Sequence, residues 1–458
     1  MTRLLAGRAL LPEGWARNVR VVIDAEGRIG SVESGALREA DDTDLGARIL
    51  LPAPANLHSH AFQRVMAGLA EHRSAGKDSF WTWRELMYRF VQRLTPEQIE
   101  AITALACMEM LEAGYAAVGE FHYLHHRASG HPYERITETS ERVFAAAKET
   151  GIGLTHLPVL YSYGGAGQQA LGAGQIRFAN DLDAYAMLVQ DARAAAGREL
   201  DCDARVGIAP HSLRATSPQQ LKALIRGFSA GPVHIHIAEQ QKEVDEVSVW
   251  LGRRPVAWLL DHFDVGERWC LVHATHMTDE ETTALARSQA VAGLCPITES
   301  NLGDGIFNGA RFTEAGGCFG VGSDSNVRIS LSEELRTLEY SQRLRDGARN
   351  VLAGGNGSVG TYIYRQALTG GARALGRDSG AIRAGLFADL VAIDGDSLAF
   401  HGLDGDRLLD AWLFAADDGV VTDVWSAGRH CVVDGRHRQR DAIVARYRRE
   451  TKGLLEGM

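Results

Sequence analysis

The chain has 458 residues, 48 basic against 58 acidic side chains and a formal net charge of −10 at pH 7. Hydrophobic residues make up 45% and charged ones 23%, as in ordinary soluble globular proteins, and no run approaches the roughly 20 apolar residues of a membrane span. The acidic balance, free of Lys/Arg blocks, argues against a nucleic-acid partner while leaving a small anionic substrate open.

The N-terminus has charges and Gly breaking its apolar stretch, so no secretory segment is expected. Six scattered cysteines (Cys107, Cys202, Cys270, Cys295, Cys318 and Cys431) form no CxxC pair. Both features predict a reduced, cytoplasmic setting.

Residues 1–49 carry a β-like piece at 19–23 and other short ones between Gly turns. From about residue 50 to 370, short apolar segments alternate with amphipathic ones. The predicted strands are 49–60, 116–122, 153–161, 204–211, 233–238, 269–274, 290–296 and 319–324. Between them, Thr95-Pro-Glu-Gln98 reads as a capping box with Pro at the first helical position. Ile99, Ile102, Leu105, Met108 and Leu111 then mark one helix face, and Gly114 a stop. Ser217-Pro-Gln-Gln220 and Thr278-Asp-Glu-Glu281 repeat the start signal. Eight β-then-α units predict an α/β fold, a (β/α)8 TIM-like barrel over 50–379, with its active site at the C-terminal strand ends. Gly-rich stretches 164–174 and 354–360 are expected as rim loops. Further β-like pieces at 389–393, 420–425 and 431–433 place 380–440 beside 1–49 in one discontinuous small β-domain, a β-sandwich, since neither flank has the apolar surface for its own core. Residues 441–458 read as a charged helical tail.

The chemistry-bearing residues cluster at predicted strand ends. His58 and His60 stand at i and i+2 on the first strand and point the same way. The fifth strand carries His234 and His236, followed by Glu239. His236, nearer the end, can reach a metal with Glu239 above it as a proton carrier, whereas His234 suits a hydrogen-bonded core position. The sixth strand ends in His273 and the eighth in Gly320-Val-Gly-Ser-Asp324, where glycines permit close backbone approach to a ligand or base. Each signal alone fits a structural role. Together, at the one rim where barrel enzymes work, they predict a hydrolytic metal centre of N and O donors, suited to Zn²⁺ or Fe²⁺. Arg84 and Arg214 are expected in loops on the same side. An isolated loop arginine of this kind also fits a solvated surface position. Trp81 and Trp83, flanking Arg84, fit either a lid or loop packing.

This pattern resembles the amidohydrolase superfamily along the whole chain, including the C-terminal run Gly380-Ala-Ile-Arg-Ala-Gly-Leu-Phe-Ala-Asp-Leu-Val391. The fourth strand ends in Ala209-Pro-His211 rather than the lysine of two-metal members, which implies the one-metal, deaminase-like branch. On that branch's pattern, His58, His60, His236 and Asp324 are metal ligands, with Zn²⁺ first and Fe²⁺ second. Glu239, His273 and Asp324 are catalytic groups. Within the branch, Pro54-Ala-Asn-Leu-His-Ser-His-Ala-Phe-Gln-Arg64, Ser79-Phe-Trp-Thr-Trp-Arg-Glu-Leu-Met-Tyr-Arg89, Gly119-Glu-Phe-His-Tyr123 and Ala209-Pro-His-Ser-Leu-Arg214 resemble the N-formimino-L-glutamate deiminases. One departure, Pro52-Ala-Pro54 where a Pro-Gly turn is expected, touches no ligand. The resemblance implies hydrolytic deimination of a small dicarboxylate in histidine degradation, by a homodimer; for such a substrate the planar forks of Arg84 and Arg214 suit the carboxylates, with neutral hydrogen bonds from Gln63, Tyr123 and His211. A deaminase acting on an aromatic amine (guanine, cytosine or S-adenosylhomocysteine type) is the alternative.

Overall fold

A computed structural model describes residues 1–73, 78–454 and 456. Its central strands are β1 (Ala55–Ser59), β2 (Ala117–His122), β3 (Gly153–Leu160), β4 (interrupted, Arg205–Val206 then Ala209–Pro210), β5 (Val233–Ile237), β6 (Trp269–His273), β7 (Val291–Leu294) and β8 (Cys318–Val321). Most are buried on both faces, which is why they read as continuous apolar runs rather than alternating ones. β1 to β4 pair in parallel as one arc and β5 to β8 as another. Parallel bridges Ile208↔Val233 and Ser212↔His236 join β4 to β5, and Ser59↔Asp324 joins the end of β1 to that of β8. The ring therefore closes, as eight β-then-α units predict.

The helix starts behave as the sequence indicates. Thr95 Oγ1 accepts from Gln98 N while Gln98 Oε1 accepts from Thr95 N, at the head of the helix Pro96–Glu112. Ser217/Gln220 and Thr278/Glu281 repeat this reciprocal box. Each such cap contributes about 1 kcal/mol by satisfying backbone donors that the helix leaves unpaired.

Both flanks enter one nine-stranded sheet. Thr2–Leu11 and Gly14–Ile23 form an antiparallel hairpin, and Ile49–Pro52 pairs antiparallel with Leu390–Ile393 from the far end of the chain. The expected strand 49–60 is thus split in two. Pro52 and Pro54 carry no backbone N–H to continue a ladder, so Ile49–Pro52 serves the flanking sheet and Ala55–Ser59 the barrel. Strand 204–211 is shorter than expected for another reason. Gly207 N donates to His156 O and Ile208 N to Pro232 O, so the chain changes partners midway. The tail forms the helix Arg440–Glu450, tied to Pro96–Glu112 by Arg446–Glu100; residues 455, 457 and 458 of the expected helical tail lie outside the described residues.

Candidate metal centre and active site

The β1 register delivers His58 and His60 together, and β5 delivers His236 from across the barrel. His58, His60, His236 and Asp324 are all buried, and one donor atom from each lies within 4.8 Å of the other three. His58 Nε2 is 3.0 Å from His236 Nε2, while Asp324 Oδ1 is 3.2 Å from His60 Nε2 and 3.5 Å from His58 Nε2. The far sides of two rings are already committed. His60 Nδ1 donates to Phe121 O at 2.9 Å and His236 Nδ1 to His211 O at 3.2 Å. Those bonds fix the tautomer, so both Nε2 lone pairs face inward, toward each other's neighbours and a carboxylate. Burial lowers the proton affinity of His58 to about 3 and pulls those of His60 and His236 below the ordinary histidine value. Neutral imidazoles with converging lone pairs fit a divalent cation, and three N donors with one O suit zinc.

The seam between β1 and β8 aligns this set. Asp324 N donates to His58 O, and His60 N to Asp324 O. Asn56 pairs with Ser323 in both directions, and Asn326 Nδ2 donates to Ser59 Oγ at 3.1 Å. Gly322 is required here, because a Cβ would lie 2.6 Å from His58 O and 2.7 Å from His58 N. Asp324 itself holds a left-handed backbone (φ 46°), as does His273 (φ 68°). Such conformations cost about 1–3 kcal/mol each in non-glycine residues and persist where surrounding structure enforces them. Sequence reasoning passed over Asn56, Ser323 and Asn326, whose pairing spans 267 positions.

Above the metal set stand the proton-moving groups. His273 Nε2 lies 3.9 Å from both Glu239 Oε1 and Asp324 Oδ2, and its Nδ1 is 3.1 Å from Glu299 Oε1. Burial opposes charge on His273, but the Glu239, Glu299 and Asp324 carboxylates outweigh it and raise the imidazole to about 10. Burial pushes Glu239 up to about 7, against the pull of His273 and Arg214. Asp324 goes the other way: His58, His60 and His273 overcome its burial and hold it well below the usual carboxylate range. Two carboxylates driven in opposite directions are suited to different roles. Glu299, missed by sequence reasoning, also accepts from Cys295 N at 2.9 Å.

One cleft brings the expected substrate groups Gln63, Arg84, Tyr123, His211 and Arg214 together with His60, His236, Glu239, His273 and Asp324. His58 lies fully buried beneath. Gln63 Nε2 donates to Tyr123 Oη at 2.7 Å. Arg214, buried, pairs with Glu239 Oε2 at 3.5 Å and with Glu243 Oε2 at 3.6 Å. Arg84 is on a helix, Phe80–Val91, rather than in the expected loop, because Phe80, Met87, Phe90 and Val91 give that stretch a buried face. Trp81 packs beneath Arg84, 4.5 Å from its guanidinium carbon, and also meets Lys242 Nζ at 4.4 Å, a cation–π arrangement that fixes the arginine. His234 is the core histidine expected, bonded to Ala374 O at 2.7 Å.

With this geometry in hand, the model of the amidohydrolase family matches residues 49–431. The chain belongs to the amidohydrolase family. A second model, the N-terminal domain of formimidoylglutamate deiminase HutF, matches residues 1–44 of this amidohydrolase. It is 52% identical to the formimidoylglutamate deiminase of Pseudomonas aeruginosa over 95% of this chain and 96% of that one. To a 5-methylthioadenosine/S-adenosylhomocysteine deaminase of Natronomonas pharaonis it is 30% identical, over 96% and 94%. A crystal structure of an amidohydrolase from Brucella melitensis superposes with a TM-score of 0.94 at 49% identity, covering 99% of this chain and 100% of that one. An adenosine deaminase from Xanthomonas campestris with bound zinc shares the fold at 22% identity, TM-score 0.82, covering 99% and 98%.

Proposed function

We propose that this amidohydrolase hydrolyses N-formimino-L-glutamate to N-formyl-L-glutamate and ammonia, a deimination belonging to histidine degradation. The observation that carries the reading is the meeting of Arg84 and Arg214 with His60, His236 and Asp324 of the metal set in one cleft. It agrees with the 52% identity to a formimidoylglutamate deiminase.

His58, His60, His236 and Asp324 would hold one divalent ion, zinc in our reading. When bound, the ion supplies a Lewis acid and makes hydroxide available at neutral pH by lowering the pKa of water to about 7. The chain's own groups do the rest. Asp324, kept ionised by its histidine neighbours, takes a proton as water adds to the formimino carbon. His273, its Nδ1–H held by Glu299, turns its Nε2 edge to the attacking oxygen and steadies the charge that develops. Glu239, whose proton affinity lies near neutral pH, carries a proton to the departing nitrogen, so ammonia leaves and the C–N bond to glutamate stays intact. Arg84 and Arg214 grip the two carboxylates, and Gln63, Tyr123 and His211 complete the hydrogen bonding. We place the reaction in the cytoplasm and assign the enzyme as a homodimer, to be checked by light scattering.

A substrate panel tests the reading. N-formimino-L-glutamate should exceed S-adenosylhomocysteine, guanine and cytosine in kcat/KM by at least about 10³, because the carboxylate pairings with half-buried Arg84 and buried Arg214 are lost without the dicarboxylate. A preference for any of these aromatic amines would replace it with the aromatic-amine deaminase reading.

A further inference from the structure

A second constellation adjoins the same cleft, with His273 and Asp324 in its wall and Cys295 fully buried next to them. His273, Cys295 and Asp324 are buried, and one donor atom from each lies within 4.8 Å of the other two. Cys295 follows β7 directly, so the barrel aims it between His273 on β6 and Asp324 after β8. Its backbone is pinned by the oxygen that also holds His273, since Glu299 Oε1 accepts from Cys295 N at 2.9 Å and from His273 Nδ1 at 3.1 Å. The Asp324 carboxylate is divided between the two sets. Oδ1 faces His58 and His60 at 3.5 and 3.2 Å, and Oδ2 faces His273 at 3.9 Å. Each set can therefore draw on its own oxygen of Asp324. Three carboxylates, Glu239, Glu299 and Asp324, surround His273, with the Arg214 guanidinium 3.5 Å from Glu239, so the field there favours added positive charge.

We infer that His273, Cys295 and Asp324 form a second, inhibitory site for a soft divalent cation, Zn²⁺ in excess or Cd²⁺. A thiolate, an imidazole and a carboxylate oxygen select such ions over Mg²⁺ or Ca²⁺. Binding forms metal–S, metal–N and metal–O bonds to Cys295 Sγ, His273 Nε2 and Asp324 Oδ2; the Cys295 S–H proton and the proton on His273 Nε2 both go to solvent, with no change in oxidation state. The ion engages His273 and so removes it from the reaction. The inhibition, but not the binding, rests on the catalytic role assigned to His273 above.

The test uses the full-length enzyme loaded with one equivalent of Zn²⁺, titrated with Cd²⁺. Total metal per chain is measured beside thiolate-to-cadmium absorption and ammonia release. The wild type should rise from one to two ions per chain, gain the absorption band, and lose turnover by about 10²-fold or more, the worth of an acid–base group. Cys295→Ala should stay at one ion, show no band from this site and keep its turnover at the same Cd²⁺ concentration. Cys202, exposed in both proteins, cancels in the comparison. A wild type that never exceeds one ion, or a Cys295→Ala protein that takes up the second ion and is inhibited equally, would overturn the site. A second ion with the thiolate band but unchanged turnover would uphold the site and overturn both the inhibition and the role of His273.

Discussion

Arg214 Nη2 lies 3.5 Å from Glu239 Oε2, both side chains buried in the cleft. The cation placed to grip a substrate carboxylate therefore touches the group placed to move the proton. Among the described residues Arg84 makes no ion pair; it rests on Trp81 and faces Tyr88. The two arginines should differ in kind. Arg84→Met should raise KM by about 10–100-fold with kcat nearly kept, the worth of one charge-assisted pairing. Arg214→Met should raise KM and lower kcat together, because Glu239 loses its partner. Steady-state kinetics on both variants decide it, and an unchanged kcat in Arg214→Met would detach Arg214 from Glu239.

Glu239→Gln keeps the shape of the side chain and removes its proton-carrying capacity. Metal content should stay at one ion per chain while turnover falls by about 10²–10⁴-fold. Metal analysis alongside the assay separates this outcome from loss of the ion, and near-normal turnover in a metal-replete variant would remove Glu239 from proton transfer.

Glu299 touches His273 and the Cys295 backbone but does not line the cleft, so it acts through the imidazole. Glu299→Gln preserves an acceptor for Nδ1–H without the negative charge, and Glu299→Ala removes both. We expect kcat to fall in both with KM nearly constant, the Gln variant retaining more turnover and showing a shifted pH profile. Equal losses in the two variants would reduce Glu299 to a packing role.

Buried histidines set the acid stability of the fold. Burial lowers His156 to about 3, and lowers His122 and His125 well below the ordinary value. The unfolded chain takes up these protons below about pH 6.5, whereas folded His156 resists until about pH 3. Stability is therefore complete above about 6.5 and falls as pH drops toward 3. His156→Gln, which keeps a donor toward Ser140 Oγ, should flatten that fall by about 1.4 kcal/mol per pH unit. Urea midpoints at pH 7 and pH 5 measure it, and an unaltered pH dependence would mean that His156 is not the titrating group.

The parts legible in the sequence were those set by short-range spacing. His58 and His60 share a strand face because they are two apart, Asp324 follows glycines at a strand end, and Thr95/Gln98 announce a helix start. The parts not legible depend on which distant segments meet. Glu299 reaches His273 across 26 positions, and Asn56 meets Ser323 across 267; nothing local marks either pair. Arg84 reads as part of the loop after the first strand, whereas Phe80, Met87, Phe90 and Val91 form the buried face of a helix that carries it. The split of 49–60 was written in Pro52 and Pro54, whose missing N–H groups end one ladder before the next begins.

The central claim is that a metal held by His58, His60, His236 and Asp324 serves hydrolysis of the terminal formimino C–N bond. Product analysis by NMR on chelator-stripped and zinc-reconstituted enzyme tests it most directly. The account predicts no turnover without metal and, on reconstitution, ammonia and N-formyl-L-glutamate in equal amounts. Formamide with free glutamate, or full turnover in the stripped enzyme, would contradict it.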